Sequence, residues 1–140
     1  MGLPNNKPPR LDDQANSIAV LIADPHPRTR SGLRIALKHF ETVRVVGEAP
    51  DLASAISAVS GARVDVVLAD SRLAGLASES ARAGLAQLTR RVPVIAMGMG
   101  DPRDYTAPLQ AAGATDYWAK DGNLEQLTKR LITAAAHPTH

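Results

Sequence analysis

The sequence predicts an α/β fold, a doubly wound (βα)5 sandwich in which helices cover both faces of a five-stranded parallel sheet. Five short apolar runs alternate with longer segments of helical period, and three of the runs are nearly continuous in Val, Ile, Leu and Ala. The length of 140 residues suits one compact core. The second run alternates more and is predicted at a sheet edge. The runs are Ile18–Ala23, Val43–Gly47, Val64–Ala69, Val92–Met97 and Ala114–Ala119.

The segments between the runs place apolar residues at the spacing of amphipathic helices. Asp51 is a candidate N-cap for the second helix, and Gly61 ends it. Asp101-Pro102 is a good N-terminus for the fourth helix, and we expect this helix either to be kinked or to start only near Pro108, because a proline inside a helix costs about 3 kcal/mol. The apolar positions of the other helices are Leu33, Ala36, Leu37 and Phe40 in the first, Leu52, Ile56 and Val59 in the second, Leu85 and Leu88 in the third, and Leu124, Leu127 and Leu131 in the fifth.

The two ends of the chain differ from the middle. Met1–Ser17 is polar and carries three prolines, which predicts a flexible leader. We therefore expect a leader over 1–17, one domain over 18–136 and a short tail over 137–140. The tail is too short for a helix-turn-helix, so we expect no binding of nucleic acid by this domain.

Composition excludes several classes of protein. The chain has no cysteine, which rules out disulfides and cysteine-based zinc sites. The net charge is only +2 and aromatics are 3% of the residues, whereas single-strand nucleic-acid surfaces need aromatic platforms. No apolar run is long enough to cross a bilayer, and the N-terminus lacks the apolar core of a signal peptide. These observations favour a cytoplasmic protein without a membrane partner.

Three charged residues stand where predicted strands end. Asp24 closes the first run, Asp70 the third and Lys120 the fifth. Because the carboxyl ends of parallel strands meet at one edge of the sheet, we expect the three side chains to converge there. Two carboxylates and an ammonium suit a divalent cation and a phosphoryl oxygen. Taken singly, each is more often a turn-capping aspartate or a solvated lysine.

Four stretches are similar to the response-regulator receiver family, especially regulators with a LuxR-type output of the NarL kind. They are Val20–Arg28 (VLIADPHPR), Val45–Ala49 (VVGEA), Asp65–Asp70 (DVVLAD) and Ala112–Asp121 (AGATDYWAKD). The resemblance covers about residues 18 to 136 and implies the flavodoxin/CheY-like version of the predicted fold. It also implies Asp70 as phosphoacceptor, Asp24 and Asp70 as Mg²⁺ ligands, Lys120 as the phosphoryl-binding lysine and Tyr117 as the switch aromatic.

The chain departs from the family pattern at three places. Pro25 replaces the second residue of the family's acidic pair, and proline offers neither a carboxylate nor an N–H, so any Mg²⁺ site is weakened. Gly98 stands where the family has the Ser or Thr that contacts the phosphoryl group, so the coupling to Tyr117 loses its first link. The stretch Ser71–Gly75 also lacks the family's proline.

Arg72 is two residues past the phosphoacceptor of the resembled family. We hypothesise that its guanidinium folds between Asp24 and Asp70 and replaces the missing metal charge. The alternative is an ordinary arginine that faces solvent from a loop. His26 lies beside the same site, but we expect no catalytic role for it.

We consider three functions. The first is an atypical receiver, which works through protein contacts with weak or absent phosphorylation. The second is a receiver that takes a phosphoryl group on Asp70 from a histidine kinase in a phosphorelay, because phosphoryl transfer depends mainly on positioning and charge. The third, a small flavodoxin-like enzyme or ligand binder, lacks a phosphate loop, a nucleophile–base pair and a cofactor fingerprint, so we expect no enzyme. By resemblance, the partners are a histidine kinase or other signalling protein and a second copy, through the fourth helix, fifth strand and fifth helix.

Overall fold

The structure, a computed structural model, describes residues 17–73, 79–99, 111 and 113–137, and every structural statement below concerns these residues. Residues 1–16 of the predicted leader and the predicted fourth helix, from Asp101 past Pro108, lie outside them, so the fifth predicted helix is numbered α4. The strands are β1 (Ile18–Ala23), β2 (Val43–Ala49), β3 (Val66–Asp70), β4 (Val94–Gly98) and β5 (Asp116–Ala119). The helices are α1 (Pro27–Leu37), α2 (Leu52–Gly61), α3 (Glu79–Thr89) and α4 (Leu124–Ala135).

The five strands form one parallel sheet in the order β2-β1-β3-β4-β5. This confirms the predicted fold class and puts β2 at an edge, as its alternating pattern indicated. β1, β3 and β4 are the central strands, and almost all of their residues are buried. Among the described residues, no helix combines the length and apolar character needed to cross a membrane.

Strand boundaries differ from the predicted runs by up to two residues, for local reasons. β3 begins at Val66 instead of Val64, because the Asp65 carboxylate accepts the N–H of Ala19 at 2.8 Å. β4 begins after Pro93, whose nitrogen has no hydrogen to donate to a neighbouring strand. β2 continues to Ala49, two residues past the predicted run, because it keeps its pairing with β1 to the end of that strand.

The core has two parts, one on each face of the sheet. The α1 and α4 face includes Leu33, Leu37, Leu127 and Leu131. The α2 and α3 face holds Ala55, Leu85 and Leu88, with Leu52, Ile56 and Val59 packed against them, and it also contains Tyr117. Burying apolar side chains on both faces is what makes the central strands uniformly apolar. The predicted helix faces are therefore confirmed with two exceptions: Ala36 is only half-buried, and Phe40 packs on the core from beyond the end of α1.

Two helices begin at clear caps beside the carboxyl edge of the sheet. Asp51 caps α2 by accepting the Ser54 N–H at 2.7 Å, as predicted. Asn123 caps α4 by accepting the N–H groups of Glu125 and Gln126 at 2.7 and 3.2 Å. A side-chain acceptor satisfies N–H groups that have no partner within the helix. The caps fix where the chain turns from strand to helix.

Candidate functional site

The carboxyl edge of the sheet brings three strand ends together. Asp24 follows β1 directly, Asp70 is the last residue of β3, and Lys120 follows β5. Backbone bonds hold the edge in register, because the Asp24 N–H donates to Ala49 O at 2.9 Å and the Lys120 N–H donates to Gly98 O at 2.9 Å. Both aspartates are almost completely buried. The structure therefore brings these three side chains together at one edge of the sheet, as the sequence predicted.

Lys120 bridges the two carboxylates. Its Nζ donates to Asp24 Oδ2 at 2.8 Å and also contacts Asp70 Oδ2. The lysine side chain is only 12% exposed, and both carboxylates are 0% exposed. A buried charge without a partner is costly, so the ammonium stabilises both aspartates. One positive charge nevertheless leaves the pair of carboxylates with a net negative charge.

Arg72 supplies the second positive charge, and it does so at Asp70 alone. Its Nε donates to Asp70 Oδ1 at 3.1 Å, its Nη2 to Asp70 Oδ2 at 3.0 Å, and its backbone N–H to Asp70 Oδ1 at 2.6 Å. This is the bidentate geometry in which arginine binds carboxylates most strongly. The geometry corrects our hypothesis in one respect, because Lys120 and not Arg72 lies between the two carboxylates.

His26 lies between Asp24 and Arg72. Its backbone N–H donates to Asp24 Oδ1 at 2.7 Å, and its ring Nδ1 is 3.3 Å from the same oxygen and 3.2 Å from Arg72 Nη2. The loop residue before it, Pro25, is exposed and has neither a carboxylate nor an N–H to offer. We expected no catalytic role for His26. Its ring nevertheless contacts the charged cluster that Asp24, Asp70, Lys120 and Arg72 form.

Arg30 ties the end of β1 to the edge strand. Its Nη1 donates to the backbone oxygen of Asp24 at 2.6 Å, and its Nε donates to Glu48 Oε1 at 3.1 Å. Arg34 donates from Nε to the other Glu48 oxygen at 2.8 Å. These hydrogen bonds lower the pKa of Glu48, the one from Arg34 having the largest effect. Nothing in the sequence pattern had singled out Arg30, although its position in the first turn of a helix that follows Asp24 is a signal that could have done so.

The electrostatics of Asp70 follow from these contacts. Burial alone would raise the pKa of its carboxyl. The hydrogen bonds from Arg72 and Lys120 outweigh burial and hold the pKa of Asp70 well below its ordinary value. In turn, the Asp70 carboxylate raises the pKa of Arg72. Asp70 is therefore a fully ionised carboxylate at neutral pH, held by two cations of its own chain.

Gly98, the last residue of β4, has no side chain, and two hydroxyl groups lie in the space beside it. A Cβ atom built on Gly98 would lie 2.7 Å from Ser71 Oγ and 2.8 Å from Tyr117 Oη. Ser71 and Tyr117 are both buried, with 7% of each exposed. The proximity of Ser71 was not predicted, because the sequence does not reveal which way a residue beyond a strand end turns.

Comparison with known proteins agrees with this geometry. Residues 20–132 match the family described as the response regulator receiver domain. The chain belongs to that family. Receiver domains typically bind Mg²⁺ at their phosphorylation site. Receiver domains are generally not enzymes.

The receiver is similar to regulators of the NarL/LuxR type. It is 32% identical over 114 residues to the response regulator UvrY of Escherichia coli K12, covering 81% of this chain and 52% of that protein. It is 30% identical over 122 residues to the nitrate/nitrite response regulator protein NarP of the same organism, covering 87% and 57%. The chain thus spans about half the length of the curated relatives it matches.

Solved structures show the same receiver fold. The signal receiver domain of a response regulator NarL from Mycobacterium tuberculosis matches with a TM-score of 0.73 and 26% identity, covering 87% of this chain and 98% of that one. The response regulator ChrA of a heme-sensing two-component system matches with a TM-score of 0.63 and 28% identity, covering 86% and 58%.

The donor set of this receiver does not fit Mg²⁺ well. Mg²⁺ demands near-octahedral oxygen ligands. Within the part of the chain that the structure describes, no group of three or more His, Asp or Glu side chains is arranged to hold a metal. Both oxygens of Asp70 already accept from Arg72 or Lys120, and both oxygens of Asp24 accept from Lys120 or His26. Each Asp70 oxygen already accepts two donors, so a cation that binds Asp70 would have to displace at least one of them.

Proposed function

We propose that this receiver is atypical: it signals through protein contacts, with weak or absent phosphorylation of Asp70. The observation that carries the proposal is the occupation of Asp70 by cations of the same chain. Arg72 binds both of its oxygens, and Lys120 contacts one of them. Two carboxylates, one ammonium and one guanidinium sum to zero, so the cluster is balanced without a metal ion.

This occupation opposes phosphorylation for two reasons. A carboxylate attacks phosphorus through an oxygen lone pair, and the donors of Arg72 and Lys120 engage those lone pairs and reduce the basicity of the carboxylate. Phosphoryl transfer also depends on neutralising charge on the transferred group. The cations that would do this are paired with Asp24 and Asp70. At the same edge, Pro25 stands in place of an acidic residue of the family pattern and Gly98 in place of a Ser or Thr, so a carboxylate and a hydroxyl are missing.

Incubation with a small phosphodonor and Mg²⁺, followed by intact mass measurement, tests the proposal. We expect no stoichiometric addition to the wild-type chain. The double variant P25D/R72A restores an acidic residue and frees Asp70, so we expect it to gain one phosphoryl group. Asp70→Asn in each background is the control for the acceptor. One phosphoryl group added to the wild-type chain and lost in D70N would sink the proposal.

A second candidate is a slow phosphoacceptor that takes a phosphoryl group on Asp70 from a histidine kinase. The contact between Lys120 Nζ and Asp70 favours it, because a cation at the acceptor oxygen can also bind a phosphoryl oxygen. Response regulators partner with histidine kinases. A time course of the phosphorylated fraction separates the candidates. Slow transfer eventually modifies every chain, whereas weak or absent phosphorylation stops at a low fraction.

The contact surface is part of the proposal. We assign it to the predicted fourth helix, β5 and α4, and we propose that a signalling protein or a second copy binds there. The fourth helix lies outside the described residues, so the assignment rests on the family. Family membership also supports a cytoplasmic, non-enzymatic domain that does not itself bind nucleic acid. Sedimentation of the purified chain over a range of concentrations tests self-association, and D24N/D70N in the same experiment tests its dependence on the cluster.

A further inference from the structure

The edge of the sheet opposite the Asp24–Asp70 cluster carries arginines at the starts of the strands. Arg44 is the second residue of β2, Arg63 comes shortly before β3, and Arg91 comes shortly before β4. All three residues are exposed. The strand order β2-β1-β3-β4 spreads them along this edge, and because neighbouring strands lie about 4.8 Å apart, the outer two belong to strands about 14 Å apart. We call these three residues the arginine row.

Two members of the row are held in place without being neutralised. Arg91 Nη1 donates to Ser60 Oγ at 2.6 Å, and Arg44 Nε donates to Ser17 Oγ at 3.3 Å. A hydroxyl carries no charge, and within the described part of the chain neither arginine forms an ion pair with a carboxylate. An arginine that is already oriented loses less conformational entropy when a carboxylate binds it.

The third member, Arg63, already has a carboxylate partner. Asp65 Oδ2 accepts from Arg63 Nη2 at 2.9 Å and from the Ala19 N–H at 2.8 Å, and Asp65 Oδ1 accepts from Arg63 Nε at 3.3 Å. Both oxygens of this carboxylate are therefore engaged at the centre of the row. Asp65 does not compensate the charges of Arg44 and Arg91.

The other charges near the strand starts do not reverse the sign of this edge. Asp116, at the start of β5, pairs with Arg130 at 2.7 Å. Glu41 and Lys38 are both exposed between α1 and β2 and have opposite charges. The described residues therefore give this edge an excess of positive charge, which attracts an anionic partner.

We propose that the arginine row binds an acidic segment of a protein partner, whose carboxylates pair with Arg44 and Arg91. Arginine binds carboxylates through two parallel hydrogen bonds, and both guanidinium groups keep two nitrogens that can offer such a pair. An extended segment advances about 3.4 Å per residue, so acidic residues four positions apart span about 14 Å and match the two strands. None of the aromatic residues in the described ranges is exposed, so a single-stranded nucleic acid finds no stacking surface here.

This surface goes beyond the proposed function. It lies at the opposite edge of the sheet from Asp70, and it does not depend on whether that residue takes a phosphoryl group. It adds a second contact to the one assigned to the fourth helix, β5 and α4. A partner bound at the row leaves the Asp70 edge accessible.

Titration of the full chain with a short peptide of alternating Glu and Ser, followed by backbone amide shifts, tests the proposal. We expect saturable shifts at Arg44, Arg63 and Arg91 that weaken as salt is added, because salt screens exposed charges. The same peptide with Gln in place of Glu is the control for charge and should give no saturable shift. Absence of saturable shifts at the row with the Glu peptide at millimolar concentration would overturn the proposal.

Removal of charge from the chain gives a second test. We expect R44Q/R91Q to bind the Glu peptide at least about tenfold more weakly, since both carboxylate contacts lose their charged donor. The matched control R28Q/K129Q removes the same charge from exposed positions on α1 and α4 and should leave the affinity within about twofold. If the amide spectrum shows R44Q/R91Q to be unfolded, the single variants R44Q and R91Q give the same comparison. Equal weakening in the two double variants would overturn the proposal, because net charge alone would then attract the peptide.

Two other occupants of the row are separated by further titrations. An oligouridylate of equal charge tests nucleic acid, and tighter binding of it than of the Glu peptide at the row would overturn the assignment to a protein. A second copy of the chain would shift the amides of the row with protein concentration alone. We expect no such shift, and its observation would replace the proposed partner by self-association.

Discussion

The guanidinium of Arg72 binds both oxygens of the Asp70 carboxylate, at 3.1 Å from Nε to Oδ1 and 3.0 Å from Nη2 to Oδ2. Together with Lys120, this contact keeps the buried Asp70 carboxylate ionised. The arginine side chain is 58% exposed and the carboxylate is 0% exposed, so the contact closes the outer side of a buried group.

The pH dependence of stability follows from the depressed pKa of Asp70. A carboxyl with a lowered pKa stabilises the fold above its unfolded pKa, near 3.9, and this contribution is lost as the pH falls toward the folded value. We therefore expect the urea concentration at the unfolding midpoint of the wild-type chain to decrease when the pH is lowered below about 4. Arg72→Ala should make that fall smaller, because less stabilisation remains to be lost. Arg28→Ala, an exposed change in α1, serves as control; equal acid dependence in R72A and R28A would refute the assignment.

Removal of Lys120 should be strongly destabilising. Lys120→Met leaves two buried carboxylates facing each other, and breaking a buried ion pair by removing one partner costs about 3–5 kcal/mol. The loss should shrink at acid pH, where the carboxylates can take up protons. Urea unfolding at pH 7 and at mildly acid pH measures both effects. Lys129→Met, on the exposed side of α4, is the matched control, and a K120M loss no larger than that of K129M would contradict the bridging role.

Arg30 and Arg34 offer a comparison of two arginines that share one partner. Both donate to Glu48, but only Arg30 also reaches the backbone oxygen of Asp24. Arg30→Met should cost about 1–3 kcal/mol, because it leaves that oxygen without a charged donor. Arg34→Met removes only a more exposed pair, worth about 0–1 kcal/mol. Urea unfolding measures the loss of unfolding free energy in each variant. Equal losses would mean that the contact with Asp24 contributes little to stability.

Gly113 is the described residue with a positive φ, at 102°. A Cβ atom there would also lie 2.4 Å from Thr89 Oγ1 at the end of α3. Backbone strain of this kind costs about 1–3 kcal/mol, so we expect Gly113→Ala to be clearly destabilising. Gly32→Ala should stabilise by about 0.5–1 kcal/mol, because it adds a helix-favouring side chain in open space. Thermal unfolding of the two variants tests the contrast; a neutral G113A would show that the turn before β5 adapts.

The sequence was sufficient to predict the fold and the three charged residues at the strand ends. Apolar runs that end in Asp24, Asp70 and Lys120 locate these residues at strand ends, and parallel strands bring such ends to one edge. The sequence could not predict which cation pairs with which carboxylate. Whether Lys120 or Arg72 bridges the carboxylates depends on side-chain length and loop direction, neither of which is periodic.

The contacts of Arg30 and Ser71 show a second limit. Arg30 reaches Asp24 because α1 begins at Pro27 and points its first turn back over the strand end. Ser71 lies over Gly98 because its N–H donates to Met97 O at 2.7 Å, which prolongs the pairing of β3 with β4 past Asp70. Both contacts arise from tertiary geometry at strand ends, and single-sequence patterns carry little information about it.

The most direct test of the account is a magnesium titration of the wild-type chain followed by backbone amide shifts. Arg72 and Lys120 already donate twice to each oxygen of Asp70, a carboxylate that a metal ion at this edge would need. We therefore expect no saturable shift at Asp24, Asp70 or Arg72 at millimolar Mg²⁺, and a saturable shift in the P25D/R72A variant. A saturable shift confined to these three residues in the wild-type chain would contradict it.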